Sequence, residues 1–137
     1  MKTFSILLLS LCISLISYSQ KSIELSEVPD HIGDSVEVKG KIFGVKFLAN
    51  ARNTPTFINI GADYPNQLLT VVIWGNVKEK LGYDPSDKKY IGSMAKIKGK
   101  LELFKNKPQI VILDPSQLLI LIDEEVPISQ IPPIDQK

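Results

Sequence analysis

Cations and flat rings interleave through the middle of this chain. Lys39 and Lys41 run up to Phe43, Lys46 and Arg52 follow, and Phe57, Tyr64 and Trp74 come next before Lys98, Lys100 and Lys105. Ammonium and guanidinium groups neutralise phosphates and release condensed counterions. Aromatic faces stack bases, at about 1–3 kcal/mol per base. Residues of these types in this order suit a single-stranded DNA or RNA surface, with Arg52 in the run ARNTP the leading candidate for a phosphate contact. Each residue also has a plainer role open to it. Strand lysines solvate a face and discourage edge pairing. Phe57 and Phe104 suit a core or barrel-end plug, Trp74 before Gly75 suits a cover over an open end, and Tyr64-Pro65 suits a rigid loop corner.

Catalysis lacks its partners. His31 is the one imidazole, and no GxSxG run supplies a nucleophile to pair with it. One histidine and one cysteine exclude the usual zinc ligand sets. The pairs Asp30/Asp34 and Asp84/Asp87 lack calcium-loop spacing. A nuclease would want clustered carboxylates and more than one arginine, and Arg52 stands alone. There is no Walker A or GxGxxG run to cradle a nucleotide. The expectation is a chain that is not an enzyme, with no cofactor and no metal.

Charge must be read by segment. The 137 residues hold 16 Lys+Arg against 15 Asp+Glu, a net +1 that on its face argues against polyanions. Residues 35–113, however, carry thirteen basic side chains and six acidic ones. Residues 21–34 and 114–137 are both net acidic. A basic middle lies between acidic flanks.

The elements that must position these residues read mostly as strands. Ser35 to Phe47 and Met94 to Phe104 alternate apolar and charged residues with the period of a half-buried strand. Thr56 to Ile60, Leu68 to Trp74 and Pro108 to Leu113 are three further apolar runs bounded by turn residues. A short helix is expected over Val77 to Leu81, closed by Gly82, and a last strand or docked extension over Leu118 to Ile122. The run His31-Ile32-Gly33…Lys39-Gly40-Lys41 recurs 59 residues later as Tyr90-Ile91-Gly92…Lys98-Gly99-Lys100. Two equivalent strands are implied, each entered through an Ile-Gly turn and each bent or bulged at its mid-strand glycine.

Five strands, two of them long and bent, with a short helix between the third and fourth, describe an all-β, five-stranded OB-fold Greek-key barrel. Lys39-Gly40-Lys41, Thr56-Phe57-Ile58-Asn59-Ile60-Gly61, Tyr64-Pro65, Thr70-Val71-Val72-Ile73 and Lys107-Pro108-Gln109-Ile110-Val111 resemble bacterial OB-fold nucleic-acid-binding proteins of the tRNA-anticodon-binding-like type, over about residues 33–118. The resemblance implies a binding surface on strands two and three of the barrel and the loops beside them.

The ends read differently from the barrel. Residues 1–19 have a basic start at Lys2, an apolar stretch too short to span a bilayer, and Ser17 and Ser19 placed for cleavage before Gln20. They are expected to be a signal peptide, making the mature protein secreted or periplasmic, with no membrane span after cleavage and no cysteine, because Cys12 leaves with the leader. The barrel domain is expected over 20–122 and a flexible acidic, proline-containing tail over 123–137. The function expected is an exported, non-catalytic module for single-stranded nucleic acid. The alternative is an envelope module that binds a protein, a glycan or a small ligand, since the fold serves all of these.

Overall fold

The computed structural model describes residues 20–122, so the leader read over 1–19 and the tail read over 123–137 lie outside the described residues. The strands are β1 (Lys21–Ile23), β2 (Ser35–Phe47), β3 (Thr56–Ile60), β4 (Leu69–Ile73), β5 (Met94–Lys100), β6 (Glu102–Phe104), β7 (Lys107–Ile112) and β8 (Leu118–Leu121). One four-residue helix, α1 (Gly75–Lys78), lies between β4 and β5. It begins two residues before the expected Val77, because the chain turns directly out of β4 at Trp74, whose carbonyl accepts from Val77 and Lys78.

Strand β2 has two partners in succession. Ser35 to Lys41 pair antiparallel with Lys100 to Met94 of β5, and Ile42 to Phe47 pair with Ile60 to Thr56 of β3. Between the two ladders Ile42 lies opposite Ile60 and Gly44 opposite Asn59, so Phe43 is an inserted residue. Such a bulge inverts the alternation of a strand. Val36, Val38, Gly40 and Ile42 face inward before it; Val45 faces inward after it, which sends Lys46 outward.

The sequence echo has a geometric cause. Val38 and Ile97, equivalent residues of the two copies, pair with each other in the β2–β5 ladder. Around them the backbone repeats itself: Gly33 N–H donates to Leu101 O at 2.7 Å and Gly92 N–H to Ile42 O at 2.8 Å. In return Leu101 N–H donates to Asp34 O and Ile42 N–H to Ser93 O, both at 2.9 Å. Gly33 and Gly92 share a φ of +95°, where L side chains are rarely found. The two strands are thus related by a local two-fold axis through Val38 and Ile97. Of the bend or bulge expected at each mid-strand glycine, the bulge is not found, since the β2–β5 register runs evenly through Gly40 and Gly99. A Cβ on Gly40 would sit 2.3 Å from Ile60 Cγ2, and one on Gly99 would sit 2.7 Å from Ile110 Cγ2. At both positions a core isoleucine passes through the space a side chain would need, and Gly99 also holds a φ of +155°, which L side chains rarely adopt.

The ladders trace a mixed sheet in the order β6-β7-β4-β3-β2-β5-β8, with β1 parallel to β2 and β4 parallel to β7. The five strands expected of the barrel are β2, β3, β4, β5 and β7. The second long run divides at buried Leu101, which turns back to Asp34 and separates β5 from β6. Among the described residues no ladder joins β5 to β7, although Gly99 backs onto Ile110 and the Val111 carbonyl. The core lies inside this curved sheet, with Val36, Val38, Ile42, Ile58, Ile60, Val71, Ile73, Ile97, Leu101, Ile110 and Ile112 all fully buried. Each contributes about 1.5–3 kcal/mol on burial. Val77 of α1 joins this core. Lys78 lies 3.5 Å from the centre of the Phe47 ring and 3.1 Å from Asp84, which fastens α1 against the end of β2.

Two outcomes test this packing. Gly40→Ala is expected to destabilise by about 1–3 kcal/mol through overpacking, read as a lower urea midpoint at unchanged slope; a shift below about 0.5 kcal/mol would contradict the close approach. The Asp84 carboxyl is held below the ordinary carboxylate value, first by the Ser86 hydroxyl and with Lys78 adding to it. A lowered folded-state pKa adds stability above the unfolded value that is lost as pH falls through the folded one. Asp84→Asn should therefore remove part of the acid-side decline in Tm, and an unchanged acid limb would contradict the role given to this carboxylate.

Candidate nucleic-acid interface

The outward residues of the sheet form rows across the strands. Because side chains alternate, inward Ile58 and Ile60 leave Phe57 and Asn59 on the other face of β3, and inward Val71 and Ile73 leave Thr70 and Val72 there on β4; Phe57 and Thr70 are half-buried, while Asn59 and Val72 are covered. The register places Lys46, Phe57, Val72 and Val111 side by side across β2, β3, β4 and β7. The next row is polar: Gly44, Asn59, Thr70, Gln109 and Glu102. It is knit by Gln109 Nε2 donating to Glu102 at 3.0 Å and Gln67 Nε2 donating to Thr70 Oγ1 at 3.1 Å. Beyond it, Phe104 of β6 lies opposite Lys107 of β7.

Loops bound this face at both ends. At one end Lys105 and Asn106 take φ of 49° and 63° and close the β6–β7 hairpin in a tight two-residue turn. The Lys105 ammonium stands 5.5 Å from the centre of the Phe104 ring, which is 57% exposed. Lys107 Nζ donates to Pro65 O at 2.6 Å, tying this hairpin to the loop that presents Tyr64, 73% exposed. At the other end lies the loop of residues 48–55, with exposed Arg52. Asn53 and Thr54 there have φ of 62° and 40°. For a β-branched threonine this conformation is unusual, and such strain costs on the order of 1–3 kcal/mol. Gly75 N–H donates to Asn53 O at 2.9 Å, and a Cβ on Gly75 would meet Thr54 Oγ1. Glycine at position 75 lets the loop lie against Trp74 and the start of α1.

The eleven residues singled out from the sequence fall on two surfaces. Lys46, Arg52, Phe57, Tyr64, Trp74 and Lys105 belong to the face just described or to the loops at its ends. Phe57 is half-buried on the outside of the sheet, so of the two roles open to it the core role does not hold; Phe104 likewise lies outside the core. Lys39, Lys41, Lys98 and Lys100 lie on the outer side of the β2–β5 ladder, with Phe43 on the bulge between the surfaces and the Lys41 ammonium 5.9 Å from its ring centre. Glu37 draws on this second set, approaching Lys96 and Lys98 at 3.5 Å each.

Sequence reasoning passed over Asn59, Thr70 and Gln109. Their signal is a polar residue at an outward position inside an apolar strand, legible only once the face of each strand is known. His31 Nδ1 lies 3.0 Å from Asp34 in the turn before β2. Among the described residues no three His, Cys, Asp or Glu side chains gather as metal ligands, and no helix is long and apolar enough to cross a membrane.

No protein-family model matches the sequence, and the search of characterised proteins found no match. Solved structures do match in backbone. A chain of the crystal structure of yeast Stn1 and Ten1 aligns with a TM-score of 0.56 at 11% identity, covering 78% of this chain and 65% of that one. An aspartyl-tRNA synthetase structure from Leishmania major Friedlin aligns with a TM-score of 0.51 at 12% identity, covering 78% of this chain and 22% of that one. The chain therefore spans less than two thirds of the length of either. At such identities the likeness is one of fold: the arrangement is OB-fold-like, with no ladder closing β5 onto β7 among the described residues.

Proposed function

We propose that this chain is an exported, non-catalytic OB-fold module that binds single-stranded nucleic acid across the outward face of β3, β4, β7 and the second half of β2. The observation that carries the reading is the row Lys46–Phe57–Val72–Val111, an ammonium beside an outward aromatic ring on an apolar floor. Arg52 and Trp74 lie at one end of this face and Tyr64, Phe104 and Lys105 at the other, so cations and rings alternate along it. Half-buried Thr70 and Gln109 in the polar row offer donors and acceptors to base edges or sugars. The likeness to the yeast Stn1 and Ten1 structure and to an aspartyl-tRNA synthetase supports the same reading at the level of fold.

A protein partner is the second reading, favoured by one observation. Strand β8 is the edge of the sheet beside β5, and Leu119, Leu121 and Ile122 stand exposed along it. An extended partner segment could add there as a further strand. On that reading oligonucleotides do not bind, and a defined envelope protein is retained by the wild type and lost by Leu119→Lys.

The test is a fluorescence-anisotropy titration of labelled single-stranded DNA, RNA and duplex across a salt series. Log affinity should fall linearly with log salt, and Arg52→Ala or Lys46→Ala should each reduce the slope by about 0.7. Phe57→Ala should weaken binding roughly 5- to 150-fold, the loss of one stacked base. Lys98→Ala, on the other surface and beside Glu37, should leave the slope unchanged. Absent or salt-independent binding, or a slope set by Lys98 rather than Arg52, would overturn the proposal.

A further inference from the structure

The loop of residues 48–55 and the start of α1 border an open surface cleft of about 540 Å³, lined by Asn53, Thr54, Trp74, Gly75, Asn76 and Glu79. That size lies within the range of about 300–1,000 Å³ typical of small-ligand sites. Its shape is built in. Left-handed backbone at Asn53 and Thr54, the hydrogen bond from Gly75 N–H to Asn53 O and the absence of a side chain at Gly75 together hold the loop against the strand end. Trp74 follows the outward alternation of Thr70 and Val72, so one ring serves both the proposed strand-binding face and the cleft.

The lining combines one flat ring, two side-chain amides, one hydroxyl and one carboxylate. Glu79 has no ion-pair partner among the described residues; the neighbouring Lys78 is taken up by Phe47 and Asp84. A carboxylate is an acceptor only. Beside an aromatic platform it favours a planar ligand that presents adjacent N–H donors and repels one that presents a ring-nitrogen lone pair. Among the bases, guanine alone offers two adjacent donors on its Watson–Crick edge, N1–H and the 2-amino group. Adenine and cytosine set a lone pair next to their amino group, and thymine sets its single N–H between two carbonyls. The Asn53 and Asn76 amides can donate to guanine O6 and N7.

From this complementarity, and resting on the single-strand reading above, we infer that the cleft is a guanine-selective base pocket. Trp74 stacks the ring and Glu79 accepts from N1–H and the 2-amino group. The pocket gives an otherwise sequence-tolerant surface a preferred base at one position, with Arg52 next to Asn53 in the chain available to the adjoining phosphate.

Trp74 is the chain's one tryptophan, so its fluorescence reports this site directly. The experiment titrates the protein with an oligothymidylate bearing a single central guanine, hypoxanthine, adenine or cytosine, and separately with guanosine monophosphate. The expected result is saturable quenching with the guanine strand bound roughly 5- to 150-fold more tightly than the adenine strand, in line with one bidentate contact. Hypoxanthine, lacking the 2-amino group, should fall between, and Glu79→Gln should erase the ranking among the four strands. Equal binding of all four strands would overturn the pocket's selectivity and leave the single-strand reading standing. Quenching by guanosine monophosphate with the strands silent would support the base pocket and overturn the single-strand reading. Absence of any quenching or binding would overturn both.

Discussion

Strand β2 exchanges partners at Ile42, and both outer surfaces of the molecule depend on that exchange. Its first half is held by β5 and its second by β3, with Phe43 inserted where the ladders meet. The insertion changes which residues face water. Lys39 and Lys41, at odd positions, and Lys46, at an even one, all end up outside, and Val45 goes in. In an uninterrupted strand Lys46 would point into the core beyond Ile42, where an unpaired ammonium is strongly disfavoured. The bulge thereby places a cation beside Phe57 and separates it from the cluster along β5.

The same exchange explains the glycines. Bringing β2 and β5 together about a local two-fold axis makes the two Ile-Gly entries equivalent. It also sends one core isoleucine across each strand, Ile60 at Gly40 and Ile110 at Gly99. Much of this was legible in the residues: period-2 patterning marked the long strands, and the 59-residue echo identified β2 and β5 as a matched pair. The place of the bulge was not legible: Phe43 continues the outward alternation of Lys39 and Lys41, and although Val45 and Lys46 reverse the phase in the sequence, which residue is inserted shows only in the register against β3. The division of the second long run at Leu101 was hidden for a similar reason, since it comes from a backbone contact with Asp34, distant in the chain. The short helix was misplaced by two residues because its start is set by the turn out of β4 rather than by its own periodicity.

The site was legible in its residue types and not in its grouping. Eleven cations and aromatics were chosen by type and by the strand side or connection expected to carry them, and the sheet distributes them over two surfaces, one of which Glu37 partly neutralises. The polar row of Asn59, Thr70 and Gln109 needed the register to be seen. The cleft at Trp74 needed the loop around Thr54 to be folded against Gly75, a contact between residues 21 positions apart with no local signature. The charge asymmetry of the chain is in keeping with this arrangement: the basic residues of 35–113 lie on the strands of the sheet and their connections, where position decides whether they meet a ligand or one another.

The central claim is that ligand occupies the outward face of β3, β4 and β7, and not the lysine-rich side of β2 and β5. Amide chemical-shift perturbation on adding a short single-stranded oligonucleotide tests it most directly. The account predicts shifts concentrated at Lys46, Arg52, Phe57, Asn59, Thr70, Trp74 and Gln109. Shifts confined to Lys39, Lys41, Met94 to Lys100 and β8, or none at saturating oligonucleotide, would contradict it.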